Sequence, residues 1–348
     1  MSKPVFFDPQ GKRRKRIRRI LDVLGVSFTL LAIVFIATVV FGTNLGQIFF
    51  PERKKPYHAL SQKERKHPKK IGTHRKTKVA PSQVVLNKDE GIRGAFYVTW
   101  DAASFSSLKE YVHQIDLLYP EWIHVLTPDG HLQAVTDLNT LYDVMDSNGH
   151  PRVIDDKLMP FLKAENADTE VLPLVNNFDP VGGEWKQDVG SFLDNPAARA
   201  RFRQEMAAFL ASDNYRGITL DFEDFPETAQ PGYRSLIQEL ASDLHARGMK
   251  LYVAVPAHNE DFDYPFMSKY ADGLILMNYD QHYPGVPGGV PGPIASQDWF
   301  TKNLQAALKV IPQEKIICAI GNYGYDWTVH KDQKPFAGNA HNVSVQDA

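Results

Sequence analysis

Cysteine is all but missing, since Cys318 is the only one among 348 residues. That excludes an intramolecular disulfide and argues against a cysteine-based metal site. Net charge is nearly missing as well, at −2, but only as a sum of two opposite excesses. Residues 1–83 hold 19 Lys and Arg against 4 Asp and Glu, while the remaining residues hold 20 against 37. The second part therefore lacks the clustered basic surface that a nucleic acid requires, which excludes that partner. No glycine-rich dinucleotide fingerprint follows the first apolar strand candidate. His258 and His282 stand alone, without the spacing of a ligand set, so the sequence predicts neither cofactor nor metal.

What is present begins with one long apolar run. Val23 to Gly42 is a stretch of 20 residues without a charge, preceded by the basic block Lys12 to Arg19. A helix of that length spans roughly 30 Å, the thickness of a bilayer's hydrocarbon core. Basic residues crowd its N-terminal end, which places the N-terminus in the cytoplasm and the rest of the chain outside. The expected organisation is a cytoplasmic basic segment over 1–20, a signal-anchor helix in the lipid bilayer over 21–42, a basic, largely disordered tether over 43–90, and a folded domain over 91–348. A cleaved signal peptide is the rival reading. Its apolar region is usually shorter, and no Ala-x-Ala site follows here.

In the folded part, short runs rich in β-branched and aromatic residues alternate with segments of helical period. Strands are expected at Gly94–Thr99, Trp122–Leu126, Val171–Val175, Gly217–Phe222, Leu251–Val255, Gly273–Met277 and Lys315–Ile320. Amphipathic helices lie between them. One is expected behind Ser106 as N-cap, one follows Asn195, and a third runs from Tyr233 to Leu244 and stops at Gly248. Such alternation implies parallel strands with right-handed crossovers. The predicted fold is a TIM-type (β/α)8 barrel apparently lacking its last strand, because the polar stretch after Trp327 offers no eighth.

The candidate chemistry sits at the fourth strand, in Gly217-Ile218-Thr219-Leu220-Asp221-Phe222-Glu223-Asp224. Side chains alternate along a strand, so Thr219, Asp221 and Glu223 share the inward face. Two carboxyls this close cannot both ionise freely; one is pushed toward a neutral-pH general acid. The pair suits glycoside hydrolysis, with Glu223 protonating the leaving oxygen. Asp221 is too near to activate a water across the sugar ring, but can steady a neighbouring group of the substrate. The alternative is that both acids only cap the following loop and helix.

These residues carry a family resemblance. Gly217 to Glu223 resembles the Asp-x-x-Asp-x-Asp-x-Glu motif of glycoside hydrolase family 18, the chitinase family, with its last two carboxylates at Asp221 and Glu223. Met277-Asn278-Tyr279-Asp280 is similar to that family's Met-x-Tyr-Asp station. Gly321 to Trp327 and Gly292 to Ala295 are similar to stretches of its spore-cortex-lytic branch. The resemblance implies retaining, substrate-assisted hydrolysis of β-linked N-acetylglucosamine polymers without a metal. In it Glu223 is acid and then base, Asp221 orients the acetamido group, Tyr279 hydrogen-bonds its oxygen, and Asp280 contacts the sugar. Two departures stand out: Arg216 and Thr219 occupy the positions of the motif's first two aspartates, and the eighth strand with its tryptophan is missing.

Further substrate-binding candidates are Tyr325, Trp327, Trp299 and Tyr97, whose rings suit the apolar face of a pyranose, and Asn177 at the end of the third strand. For the aromatic residues core packing is an equal reading, and for Asn177 a turn cap. Two other functions remain open: a carbohydrate-binding relative with little turnover, and the N-terminal module of a larger protein with polysaccharide deacetylase or glycosyltransferase domains.

Overall fold

The computed structural model describes residues 91–135, 140–257, 259, 261–284, 290–327 and 340–344. The expected anchor at 21–42, its flanking segments over 1–20 and 43–90, and His258 lie outside the described residues. Among the described residues no helix is long and apolar enough to cross a membrane.

Seven strands pair in parallel, each with its successor in the chain. They are β1 (Gly94–Tyr97), β2 (Leu117–His124), β3 (Glu170–Val171 and Leu174–Asn176), β4 (Gly217–Asp221), β5 (Lys250–Pro256), β6 (Gly273–Met277) and β7 (Ile316–Ala319). Seven helices intervene: α1 (Ala102–Tyr111), α2 (Leu158–Ala164), α3 (Val189–Asp194), α4 (Pro196–Leu210), α5 (Gln230–His245), α6 (Tyr264–Tyr270) and α7 (Gln297–Ala307). This is the expected α/β order. Among the described residues β1 and β7 have no partner on their outer sides, so the ring stays open there. Apolar Phe96 and Ile320 are exposed at those two edges.

The two faces of the sheet pack separately. Leu117, Tyr119, Leu172, Tyr252, Ala254, Ile275 and Met277 fill the inside of the ring. The intervening residues, such as Ile218, Leu220, Phe222, Val253 and Leu274, meet the helices outside. Both faces are therefore apolar, as covered parallel strands require. Each fully buried Leu or Ile contributes roughly 1.5–3 kcal/mol.

Local signals explain most boundaries. Asn195 caps α4 as expected, its Oδ1 accepting from Ala197 N–H at 3.0 Å, with Pro196 at the first helical position. Gly248, at φ 68°, turns the chain just beyond α5. Ser106, expected as an N-cap, instead lies inside α1 and donates to Ala102 O, because Asp101 caps the helix first through Ala103 N–H at 2.8 Å. β2 begins five residues before its expected start at Trp122, since Pro120 occupies a register position opposite Tyr97 instead of breaking the strand. At Gly217 (φ 150°) a Cβ would collide with the Lys250 carbonyl, so only glycine lets β4 and β5 pair this closely.

Three antiparallel hairpins were not foreseen. Gln133–Val135 and Leu141–Asp143 extend the sheet from the end of β2. Phe178–Asp179 pairs with Glu184–Trp185 beyond β3, and Tyr323–Trp327 pairs with Ala340–Ser344 beyond β7. The last hairpin forms its own two-stranded sheet and does not close the ring.

Candidate active site

β4 delivers its acids at the C-terminal rim of the strands. Asp221 ends the strand level with Asn176 of β3, and Glu223 follows two residues later. Asn177 pins the backbone at that point. Its Oδ1 accepts from Glu223 N–H at 2.9 Å, while its Nδ2 donates to Glu223 O at 2.7 Å and to Lys186 O at 3.1 Å. Asn177 is fully buried and both its amide protons are spent on carbonyls, so it is built as a clamp on Glu223. The next residue, Asp224, takes the left-handed conformation at φ 49°, ending the strand sharply.

Burial governs the protonation of both acids. It raises the Asp221 carboxyl well above the usual carboxylate range, helped by the charges of Glu223 and Glu121. Glu223 is pushed up to about 7, by burial first and then by Asp280, Glu121 and Asp224. A carboxylic acid that keeps its proton near neutrality can donate it to a leaving oxygen.

β6 brings the partners. Burial, and then the acids around it, raises the Tyr279 phenol so that it stays an O–H donor. Asp280, at φ 61°, accepts at Oδ1 from Tyr323 O–H at 2.6 Å and from Tyr325 O–H at 3.3 Å. Asn278 anchors the turn from beneath, donating to Phe300 O at 3.0 Å and accepting from Asn303 Nδ2 at 3.1 Å. From Tyr279 an edge-to-face series runs outward through Tyr323, Tyr325 and Trp327, with centroids 6.1, 5.6 and 5.9 Å apart.

The structure thus brings Asp221, Glu223, Tyr279, Asp280 and Tyr325 together, with Trp327 at the end of the aromatic series. Trp299 is half-buried in the first turn of α7, its N–H held by Ser296 Oγ. Tyr97 is almost fully buried, and its hydroxyl donates to Asp155 Oδ2 at 2.8 Å at the wall of a separate cleft of about 790 Å³. Sequence reasoning missed Glu121, because the strand was read as starting after it. A period of two through Leu117, Tyr119 and Glu121 is the trace in the sequence, and Pro120 interrupts it. Among the described residues no cluster of His, Cys, Asp and Glu is arranged to hold a metal ion.

Residues 96–347 match Glycosyl hydrolases family 18. The chain belongs to that family. Family 18 members are glycoside hydrolases, and the chitinases and cortex-lytic enzymes are among them. The uncharacterized glycosylase YvbX of Bacillus subtilis is 28% identical over 243 residues, 67% of this chain and 64% of its own length. The cortical fragment-lytic enzyme of the same organism is 23% identical over 175 residues, 47% of this chain and 39% of its own length. The chain therefore spans less than two thirds of either relative. Among solved structures, a chitinase from Chromobacterium violaceum is 25% identical with a TM-score of 0.59, covering 74% of each chain. The spore cortex-lytic enzyme SleL of Bacillus megaterium shares the fold, at 21% identity and a TM-score of 0.59 over 74% of this chain and 56% of its own.

Proposed function

We propose that this family 18 chain is an extracytoplasmic glycosidase, anchored by residues 21–42, that hydrolyses β-linked N-acetylglucosamine polysaccharide with retention. The observation that carries the proposal is the buried Asp221–Glu223 pair facing the Tyr279 phenol. Glu223 gives its proton to the glycosidic oxygen as the bond to the anomeric carbon breaks. The substrate's own acetamido oxygen attacks that carbon, forming a cationic oxazolinium. Asp221 and the Tyr279 dipole stabilise the charge as it develops. Glu223, now a carboxylate, takes a proton from the water that opens the ring, which restores the acid and the β configuration. In this reading Asp221 does not attack directly but steadies the acetamido group, since it follows the same strand as Glu223 and lies on the same face.

The names of the cortex-lytic relatives support a peptidoglycan glycan strand over chitin. A second reading, sugar binding with little turnover, draws on Thr219, a neutral residue where the family motif carries an aspartate.

The test is hydrolysis by the purified full chain of chitooligosaccharides and of peptidoglycan, beside Glu223→Gln. The expected loss is about 10²–10⁴-fold, the usual worth of a general acid. Equal rates from both proteins would leave only the binding reading. The rate should also fall as pH rises through about 7, where Glu223 loses its proton.

A further inference from the structure

A third acid shares the inside of the ring. Glu121 on β2 is level with Leu174 of β3, and Leu174 is level with Thr219 of β4. Cross-strand partners in a parallel sheet face the same way, so Glu121 and Thr219 belong to the layer directly beneath Asp221. Asn176 fixes how Glu121 is held. Its Oδ1 accepts from Phe178 N–H at 3.2 Å and faces Nδ1 of His124 at 2.7 Å, which leaves Nδ2 to donate to Glu121 Oε1 at 3.0 Å.

Nothing in this layer neutralises an acid. The charges that reach Asp221 are those of Glu223 and Glu121, the Tyr279 and Tyr233 phenols lie within reach of Asp221 and Glu223, and His124 shares Asn176 with Glu121. Burial lowers His124 to about 4, so it is neutral. No Lys or Arg is hydrogen-bonded to Glu121 or Asp221 among the described residues. Asp221 Oδ1 is buried without a hydrogen-bond partner. Thr219, the residue between them, turns its hydroxyl to Leu172 O at 3.5 Å and has no exchangeable charge. Two buried carboxyls without a cation cannot both ionise.

We propose that Glu121 is a positioning residue that sets the proton occupancy of Asp221, the two carboxyls holding one proton between them at neutral pH. Thr219, two residues before Asp221 on β4, carries no carboxyl that could do this, so the proton partner stands on β2. Both acids are raised by burial, Glu121 with a partial offset from Asn176. The proposal rests on the functional reading above only for its kinetic consequences.

The test is Glu121→Gln in the full chain. Glutamine keeps an oxygen for Asn176 but carries neither charge nor titratable proton. Each raised carboxyl favours the fold below its unfolded value near 4, and that contribution is lost as pH rises through its folded value. Glu121→Gln removes one of the two, so its melting temperature should gain on wild type between pH 5 and pH 8. In an Asp221→Asn background the gain should shrink, because the mutual repulsion is already gone. Both limbs of the kcat/KM profile should move to lower pH by about one unit, and Thr219→Asp added to Glu121→Gln should move them back. A melting difference that is the same at pH 5 and pH 8 in both backgrounds overturns the proposal. So does a uniform loss of rate with the profile unmoved. If the wild type proves inactive, the melting series alone decides, which separates this failure from that of the functional reading.

Discussion

The two sides of the site are built from different materials. On the side of β2 to β4 lie Glu121, Asp221 and Glu223, half-buried, among the fully buried His124, Asn176 and Asn177, whose hydrogen bonds hold the Glu121 carboxyl and the Glu223 backbone. On the side of β6 and the Tyr323–Trp327 hairpin lie Tyr279, Asp280, Tyr323, Tyr325 and Trp327, half-buried and in edge-to-face contact. Desolvation makes the first side sensitive to protons, since burying a charge costs more than losing it. The second side gathers aromatic rings around a single fixed carboxylate, which suits gripping a sugar. The difference teaches that protonation and grip are separable here, although both converge on Asp221 and Glu223.

Substitutions can break that separation or sharpen it. After Glu223→Gln the largest effect is expected from Tyr279→Phe, because this phenol is the hydrogen-bond donor of the aromatic side whose hydroxyl lies within reach of both Asp221 and Glu223. Loss of such a donor costs roughly 10²-fold in kcat, and single-turnover kinetics on a chitooligosaccharide would read it; a change in KM alone would move Tyr279 to the grip side. Asn177→Ala comes next. It leaves the Glu223 N–H and carbonyl without their buried partner, at about 1–3 kcal/mol of stability, and loosens the acid by enough to cost roughly tenfold in rate. Thermal unfolding and kcat should fall together, and stability lost with rate unchanged would show that the clamp does not place the acid. Tyr323→Phe is expected to be mildest. It removes the 2.6 Å bond to Asp280 while Tyr325 keeps its own, so KM should rise about fivefold, the worth of roughly 1 kcal/mol, with the pH optimum unmoved. A shifted optimum would show that Tyr323 also tempers the Asp280 charge that raises Glu223.

The catalytic strand was legible because its information is local. Alternation along Gly217–Glu223 puts Thr219, Asp221 and Glu223 on one face whatever surrounds the strand, and the Tyr279-Asp280 pair ends its own strand in the same way. Glu121 was not legible, for a reason equally physical. Pro120 reads as a strand breaker, yet in β2 it stands opposite Tyr97, the last residue of β1, where its missing N–H can be tolerated. Asn177 was read as a contact for sugar, and only the approach of β3 to the end of β4 shows where its amide is spent.

By itself, then, the amino-acid order determined seven strands, their parallel sequence, the acids of β4 and the family to which the chain belongs, since each depends on periodicity or on neighbours a few residues apart. Only the tertiary structure decided which acids share one desolvated layer, which asparagine holds Glu223, and that Tyr323–Trp327 pairs with Ala340–Ser344 apart from the ring. The first two outcomes depend on registers between strands 45 to 53 residues apart, and no local pattern encodes a register.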